Sequence, residues 1–166
     1  MKRYLRRGTF IIAAYLAGVL ILSPALSFAQ WPLGPGPVTP QAQRNALGAL
    51  RSQIKSFQNN TRTAPNYGPS GYDNVLSQFE ALRGAYQGLK HTLNPSQLQK
   101  GANALAELDA GLDIINEAFT NYQNDLAAGR EARRALREMC DVSREAIQVW
   151  AQELEKTCSR LRVGFG

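Results

Sequence analysis

The chain has 166 residues and a formal net charge of +6, a length typical of a single domain. Four basic residues and no acidic ones lie in residues 1–29, so the rest of the chain carries 15 Lys and Arg against 13 Asp and Glu, a net charge of +2. This slight excess argues against a nucleic-acid-binding protein, which needs a concentrated basic face.

The N-terminal segment, residues 1–29, has the organisation of a secretory signal peptide. A basic start leads into an apolar run from Phe10 to Leu22, and Ser27 and Ala29 supply the small side chains that cleavage after Ala29 requires. The apolar run is about 13 residues long, whereas a membrane-spanning helix needs roughly 20, so an uncleaved anchor is the weaker alternative. We therefore expect a periplasmic or secreted mature chain that meets the membrane only during export.

Residues 30–40 follow the predicted cleavage site and contain four prolines and two glycines. Proline removes a backbone donor and glycine loses much entropy on ordering, so neither a helix nor a central strand is expected there. The prediction is an extended arm, in which Trp31 is a candidate for contact with the bundle or with a partner.

The first two helices are predicted from apolar residues at helical spacing. The first spans 41–60, and residues 61–71, which are dense in turn formers, are predicted to be a loop. The second spans 72–93, where the apolar spacing alternates between three and four residues as in a coiled coil.

The third and fourth helices are predicted to be longer. The third spans 95–128, with Asn94 as its N-cap and Gly129 as its C-terminal stop; a continuous helix through Gly129 is the alternative. The fourth spans 130–162, a stretch without an internal glycine or proline, and residues 163–166 are expected to be a disordered tail.

These elements predict an all-α fold, since no stretch of the mature chain shows sustained strand alternation. Short connections between helices that carry apolar seams favour an elongated antiparallel bundle of about four helices. Helices three and four would each be about 50 Å long at about 1.5 Å per residue. Six aromatic residues on the seams are predicted to pack in the core: Tyr72, Phe79, Tyr86, Phe119, Tyr122 and Trp150.

The residues that could carry catalysis are few. His91, the single histidine, lies near the predicted end of helix two, where a cation interacts favourably with the helix dipole. Asp109, Asp113 and Glu117 recur every four residues, which is typical of a solvated helix face rather than a cation site. No nucleophile elbow, phosphate-binding glycine loop or metal-ligand spacing is present. The sequence therefore predicts no enzyme, no metal and no cofactor.

Cys140 and Cys158 are 18 residues apart on the predicted fourth helix. On one continuous helix they would be about 27 Å apart, far beyond the reach of a disulfide bond. Three interpretations stay open. Both thiols are small core residues, the chain reverses between them, or two antiparallel copies join Cys140 to Cys158 of the partner in a homodimer.

The overall plan resembles the exported helical subunits of conjugative or type IV secretion pili, with a signal peptide, long Gln-, Asn-, Ala- and Leu-rich helices and no catalytic motif. This resemblance is architectural and implies no residue roles. We expect an exported, non-enzymatic bundle that contacts other envelope or secreted proteins, with Trp31 and Tyr67 as candidate contacts because interfaces favour exposed aromatic residues. The alternatives are a pilus subunit, and a small-molecule or cofactor carrier with a cleft between helices two, three and four.

Overall fold

The computed structural model of the chain describes residues 39–165, and over that range it contains four α-helices, one 3₁₀ helix and no strand. The all-helical class and the predicted number of helices are confirmed for this range. The predicted signal peptide, most of the predicted arm and Trp31 lie outside it. The helices are α1 (Pro40–Thr63), the 3₁₀ helix (Ala64–Asn66), α2 (Pro69–His91), α3 (Pro95–Ala127) and α4 (Ala132–Arg160).

Local sequence signals set the helix ends. Proline is the first residue of α1, α2 and α3, a position where its missing N–H is not needed. Asn94 caps α3 as predicted, in a reciprocal capping box in which its side chain accepts from the backbone N–H of Gln97 and the Gln97 side chain accepts from that of Asn94. Gly129 ends the α3 region with φ +79°, a left-handed conformation that glycine adopts easily.

The predicted loop at 61–71 is wrong over most of its length. Helix α1 continues to Thr63, a 3₁₀ turn follows, and α2 already begins at Pro69. The prolines fit the first turns of helices because their φ is already helical, so the turn formers mark a tight connection rather than a long loop. Gly71 permits this tightness, because a Cβ there would lie 2.2 Å from the carbonyl oxygen of Ala64.

The helices pack as two close hairpins, α1 with α2 and α3 with α4. In the first hairpin the Gln43 side chain donates to the carbonyl oxygen of Thr92, so the start of α1 meets the end of α2. In the second, the Gln97 side chain donates to the carbonyl oxygen of Leu161, so the start of α3 meets the end of α4. Partners within each hairpin are therefore antiparallel.

The predicted seams form the core between the hairpins. All six predicted aromatic core residues are buried or partly buried. Their rings form two contact groups, Tyr122–Tyr72–Phe119–Phe79 and Tyr86–Trp150, with centroid separations from 4.6 to 5.8 Å. Leu98 and Leu126 are exposed although they lie on the predicted α3 seam. They occupy the two ends of α3, where the neighbouring helices no longer cover the seam.

The expected disordered tail at 163–166 differs from the structure at its first residues. Val163 is buried, and the backbone N–H of Gly164 donates to the side-chain oxygen of Gln43 at 2.8 Å. Arg44 donates to the Gly164 carbonyl oxygen at 2.7 Å. Gln43 is itself buried and needs polar partners, and the backbone that follows α4 supplies one of them.

Candidate functional site

A continuous groove runs along the surface of the α3–α4 hairpin. It consists of two depressions of about 540 and 360 Å³ that share Ile114 and Val142. All the residues that line it belong to α3, α4 or the turn between them. We call this feature the α3–α4 groove.

Regular helical spacing produces the groove. On α3 the lining residues recur at intervals of three and four, which places them in one stripe beside the buried seam, and α4 carries a matching stripe. The α3 stripe is Glu107, Gly111, Ile114, Ala118, Asn121 and Asp125, and the α4 stripe is Glu138, Val142, Glu145, Val149 and Glu153.

Trp150 forms part of the groove floor. Its indole N–H donates to the carbonyl oxygen of Leu108 at 2.7 Å, which fixes the ring between the two helices. A Cβ at Gly111 would lie 2.8 Å from Cδ1 of Trp150, so the absence of a side chain at Gly111 makes room for the indole. The floor is therefore apolar and held in place by a buried hydrogen bond.

Three large apolar side chains line the groove and are unusually exposed. Ile114 is 55%, Val142 48% and Val149 62% accessible. Among the described residues, four other large apolar side chains are exposed to a comparable extent, and all four lie in turns or near helix ends: Tyr67, Leu98, Leu126 and Phe165. The groove is thus the one place in this range where such side chains gather in the middle of helices.

Acidic side chains surround this apolar floor. The lining includes six of the 13 acidic residues of the chain, Glu107, Glu117, Asp125, Glu138, Glu145 and Glu153. The single basic residue in the lining is Arg130, which bridges Asp125 and Glu138 at one end. Hydrogen bonds from Arg134 and the charge of Arg130 hold the pKa of Glu138 below its ordinary value. The groove therefore carries negative charge on a chain whose positions 30–166 have a net charge of +2.

The two cysteines lie in the core rather than in a reactive site. Helix α4 is continuous from Ala132 to Arg160, so the chain does not reverse between Cys140 and Cys158. Both thiols are free and buried, and burial raises the pKa of each to about 11. Thiols with such pKa values stay protonated and poorly nucleophilic at neutral pH. This arrangement favours core packing over a disulfide to a second copy, which would require both residues to become accessible.

The other residues singled out from the sequence do not converge on one site. Tyr67 is 63% exposed in the turn before α2, outside the groove lining. His91 lies exposed at the end of α2, the position that its helix-end interpretation predicts. Asp109 forms an ion pair with Lys90, with 2.9 Å between the carboxylate oxygen and the ammonium nitrogen. Among the residues that the structure describes, no group of His, Cys, Asp and Glu could hold a metal ion.

The carrier alternative predicts a cleft between helices two, three and four. The space enclosed there, between Tyr86, Leu105 and Leu154, is about 10 Å³. That volume corresponds to about one water molecule, so this site has no room for an organic ligand.

The α3–α4 groove was not predicted from the sequence. Its signal is nevertheless present, since Val142 and Val149 lie one heptad apart beside the α4 seam, and Ile114 adjoins the buried Ile115. Comparisons with protein-family models, curated proteins and solved structures give no match. No helix within residues 39–165 combines the length and apolar character needed to cross a membrane.

Proposed function

We propose that this protein is an exported, non-enzymatic, elongated helical bundle that acts in the cell envelope through protein–protein contacts, with the α3–α4 groove as its docking surface. The observation that carries the proposal is the row of exposed Ile114, Val142 and Val149 over the Trp150 floor. Contiguous apolar surface in the middle of helices costs free energy in water and is typical of interaction sites.

The shape of the groove supports a partner segment that packs closely. Ala118 and Ala146 line it with small side chains, so a helix can approach the α3 and α4 backbones. The indole of Trp150 is already fixed by its bond to Leu108, so docking need not order that side chain. Such preorganisation lowers the entropic cost of association.

The export part of the proposal depends on residues 1–29. We expect the mature protein to begin at Gln30 and to be found outside the cytoplasm. N-terminal sequencing of the protein purified from fractionated cells of its natural host tests this expectation. Recovery of the full chain from the cytoplasmic fraction, with Met1 or Lys2 as its first residue, would contradict it.

A pilus subunit remains a more specific form of the same proposal, because an assembled subunit also needs a docking face. Cofractionation with extracellular filaments would favour that form, whereas recovery from the envelope alone would favour a different assembly. The carrier is not favoured, because the enclosed space between helices two, three and four is so small.

Site-specific cross-linking tests the docking surface. A photo-activated amino acid placed at position 149 in the groove should give a discrete adduct in host cells, and the same residue at position 80 should not. Glu80 is a matched control because it is exposed in the middle of α2 and away from the groove. Equal adduct yields from both positions, or none from position 149, would contradict docking at the groove.

A further inference from the structure

We infer that the α3–α4 groove binds a cationic amphipathic helix, with apolar residues along one face and Lys or Arg on both flanks. This inference rests on the proposed docking function and adds the chemistry of the partner.

The charge of the groove carries the inference. Six acidic residues and one basic residue line it, and that basic residue, Arg130, is already bound to Asp125 and Glu138. Glu107, Glu117 and Glu145 form no ion pair with any residue of the described range. A partner with Lys or Arg beside its apolar face would neutralise these carboxylates, and complementary charge accelerates and orients association.

The arrangement of the lining indicates a helix rather than an extended segment. The α3 and α4 stripes both follow helical spacing, and a third helix laid between α3 and α4 would pack ridges into grooves. From Glu107 to Asp125 the groove extends over 19 residues of α3, about 27 Å at about 1.5 Å per residue. A helix of about 18 residues would fill that length, with its long basic side chains reaching outward from the apolar floor to the Glu residues.

The same charges disfavour two other occupants. A second copy of this chain docked through the same face would bring acidic rims together, because a two-fold interface pairs a surface with itself. An anionic membrane surface attracts basic segments and would repel this groove. We therefore assign the groove to a basic protein helix.

Binding of synthetic peptides to the purified mature protein tests the inference. The probe is a fluorescent, end-capped 18-residue helix with Leu at the seam positions and Lys elsewhere, and the two comparison peptides carry Gln or Glu in place of Lys. We expect the Lys peptide to bind at least about 10-fold more tightly than the Gln peptide, and its affinity to fall about 10-fold from 0.05 to 0.3 M salt. The Glu peptide should bind least.

Matched variants locate the binding site. The double variant E107K/E145K reverses two groove charges and should weaken binding of the Lys peptide at least about 10-fold. The control E80K/D113K makes the same total charge change at exposed positions outside the groove lining and should alter affinity by less than about two-fold. I114S/V149S tests the apolar floor, and circular dichroism verifies that each variant is folded.

The outcomes separate the two proposals. If the Gln peptide binds as tightly as the Lys peptide and I114S/V149S abolishes binding of both, docking at the groove stands and the cationic partner is overturned. If E107K/E145K and E80K/D113K weaken binding of the Lys peptide equally, that binding is non-specific and the inference is overturned. If no peptide binds, the inference is also overturned, whereas an adduct from position 149 in cells would preserve the docking function.

Discussion

Single residues determine how closely α3 and α4 approach and therefore how the groove floor is built. Gly111 permits Trp150 to lie between the helices, where its N–H reaches the carbonyl oxygen of Leu108. In the sequence Gly111 is an ordinary helix-interior glycine, and only the opposing indole shows why a side chain does not fit. The residue-scale reason for the groove is thus a contact between residues 39 positions apart.

Substitution of Gly111 tests this contact. Glycine to alanine in an open helix interior gains about 1 kcal/mol, and we expect G88A to do so because nothing lies within 4 Å of its new Cβ. G111A should instead lose about 1–3 kcal/mol relative to G88A, because its Cβ displaces the Trp150 ring. Urea unfolding of both variants measures the difference, and equal stabilisation would contradict the packing described.

The two buried thiols should make the folded protein less stable at alkaline pH. The folded pKa of Cys140 and of Cys158 is raised by burial from 9.0 to about 11, so the unfolded chain loses these protons first. The contribution of each protonated thiol to the free energy of unfolding is therefore complete below pH 9. As pH rises through 11, that free energy falls by about 2–3 kcal/mol for each thiol. Chemical denaturation at pH 8, 9, 10 and 11 measures the loss.

The double variant C140A/C158A is the control for this pH dependence. It should show a shallower decline above pH 9, with a remainder from Tyr86, whose pKa burial also raises. A wild-type decline no steeper than that of the variant would show that the two thiols are not buried in the folded protein.

At the scale of elements, one polar cluster joins an end of each of the four α-helices. The Gln43 side chain donates to Thr92 and to Gln97 and accepts from the backbone N–H of Gly164, while Gln97 also reaches Leu161. These bonds link α1, the end of α2, the start of α3 and the backbone after α4. They explain why residues 163–165 follow a defined path instead of forming the expected disordered tail.

The variant Q43L tests the cluster. Loss of the Gln43 amide leaves the Gly164 N–H and the Thr92 carbonyl oxygen without that partner. We expect the free energy of unfolding to fall by about 1–3 kcal/mol. Hydrogen–deuterium exchange should also become faster at residues 163–165. Gln148 is exposed in the middle of α4 and takes no part in the cluster, so Q148L should leave both readouts near wild type. Unchanged exchange in Q43L would contradict the role assigned to the cluster.

The sequence predicted the helices well because each is specified by local signals. Apolar residues at helical spacing identify the seams, and Asn94 and Gly129 mark the ends of α3. The connection at 61–71 could not be predicted correctly, since a proline suits both a loop and the first turn of a helix. The close approach of Gly71 to Ala64 decides between them, and that contact exists only in the folded hairpin.

At the scale of the whole molecule, the candidate site depends on pairing α3 with α4. Each stripe alone looks like an ordinary mixed helix surface, and only their antiparallel alignment brings Ile114, Val142 and Val149 into one groove. The sequence therefore predicts the helical bundle, but it does not locate the face that we propose a partner covers. The acidic rim of the groove likewise consists of residues from both α3 and α4.

The most direct measurement is the accessibility of the groove in cells and in the purified protein. Single cysteines introduced as V149C and E80C are treated with a membrane-impermeant maleimide in intact envelopes and after purification; Cys140 and Cys158 are buried and should remain unlabelled in both. We predict that position 149 is protected in the envelope and labelled rapidly when purified, while position 80 is labelled in both. Rapid labelling of position 149 in both preparations would contradict a docked partner.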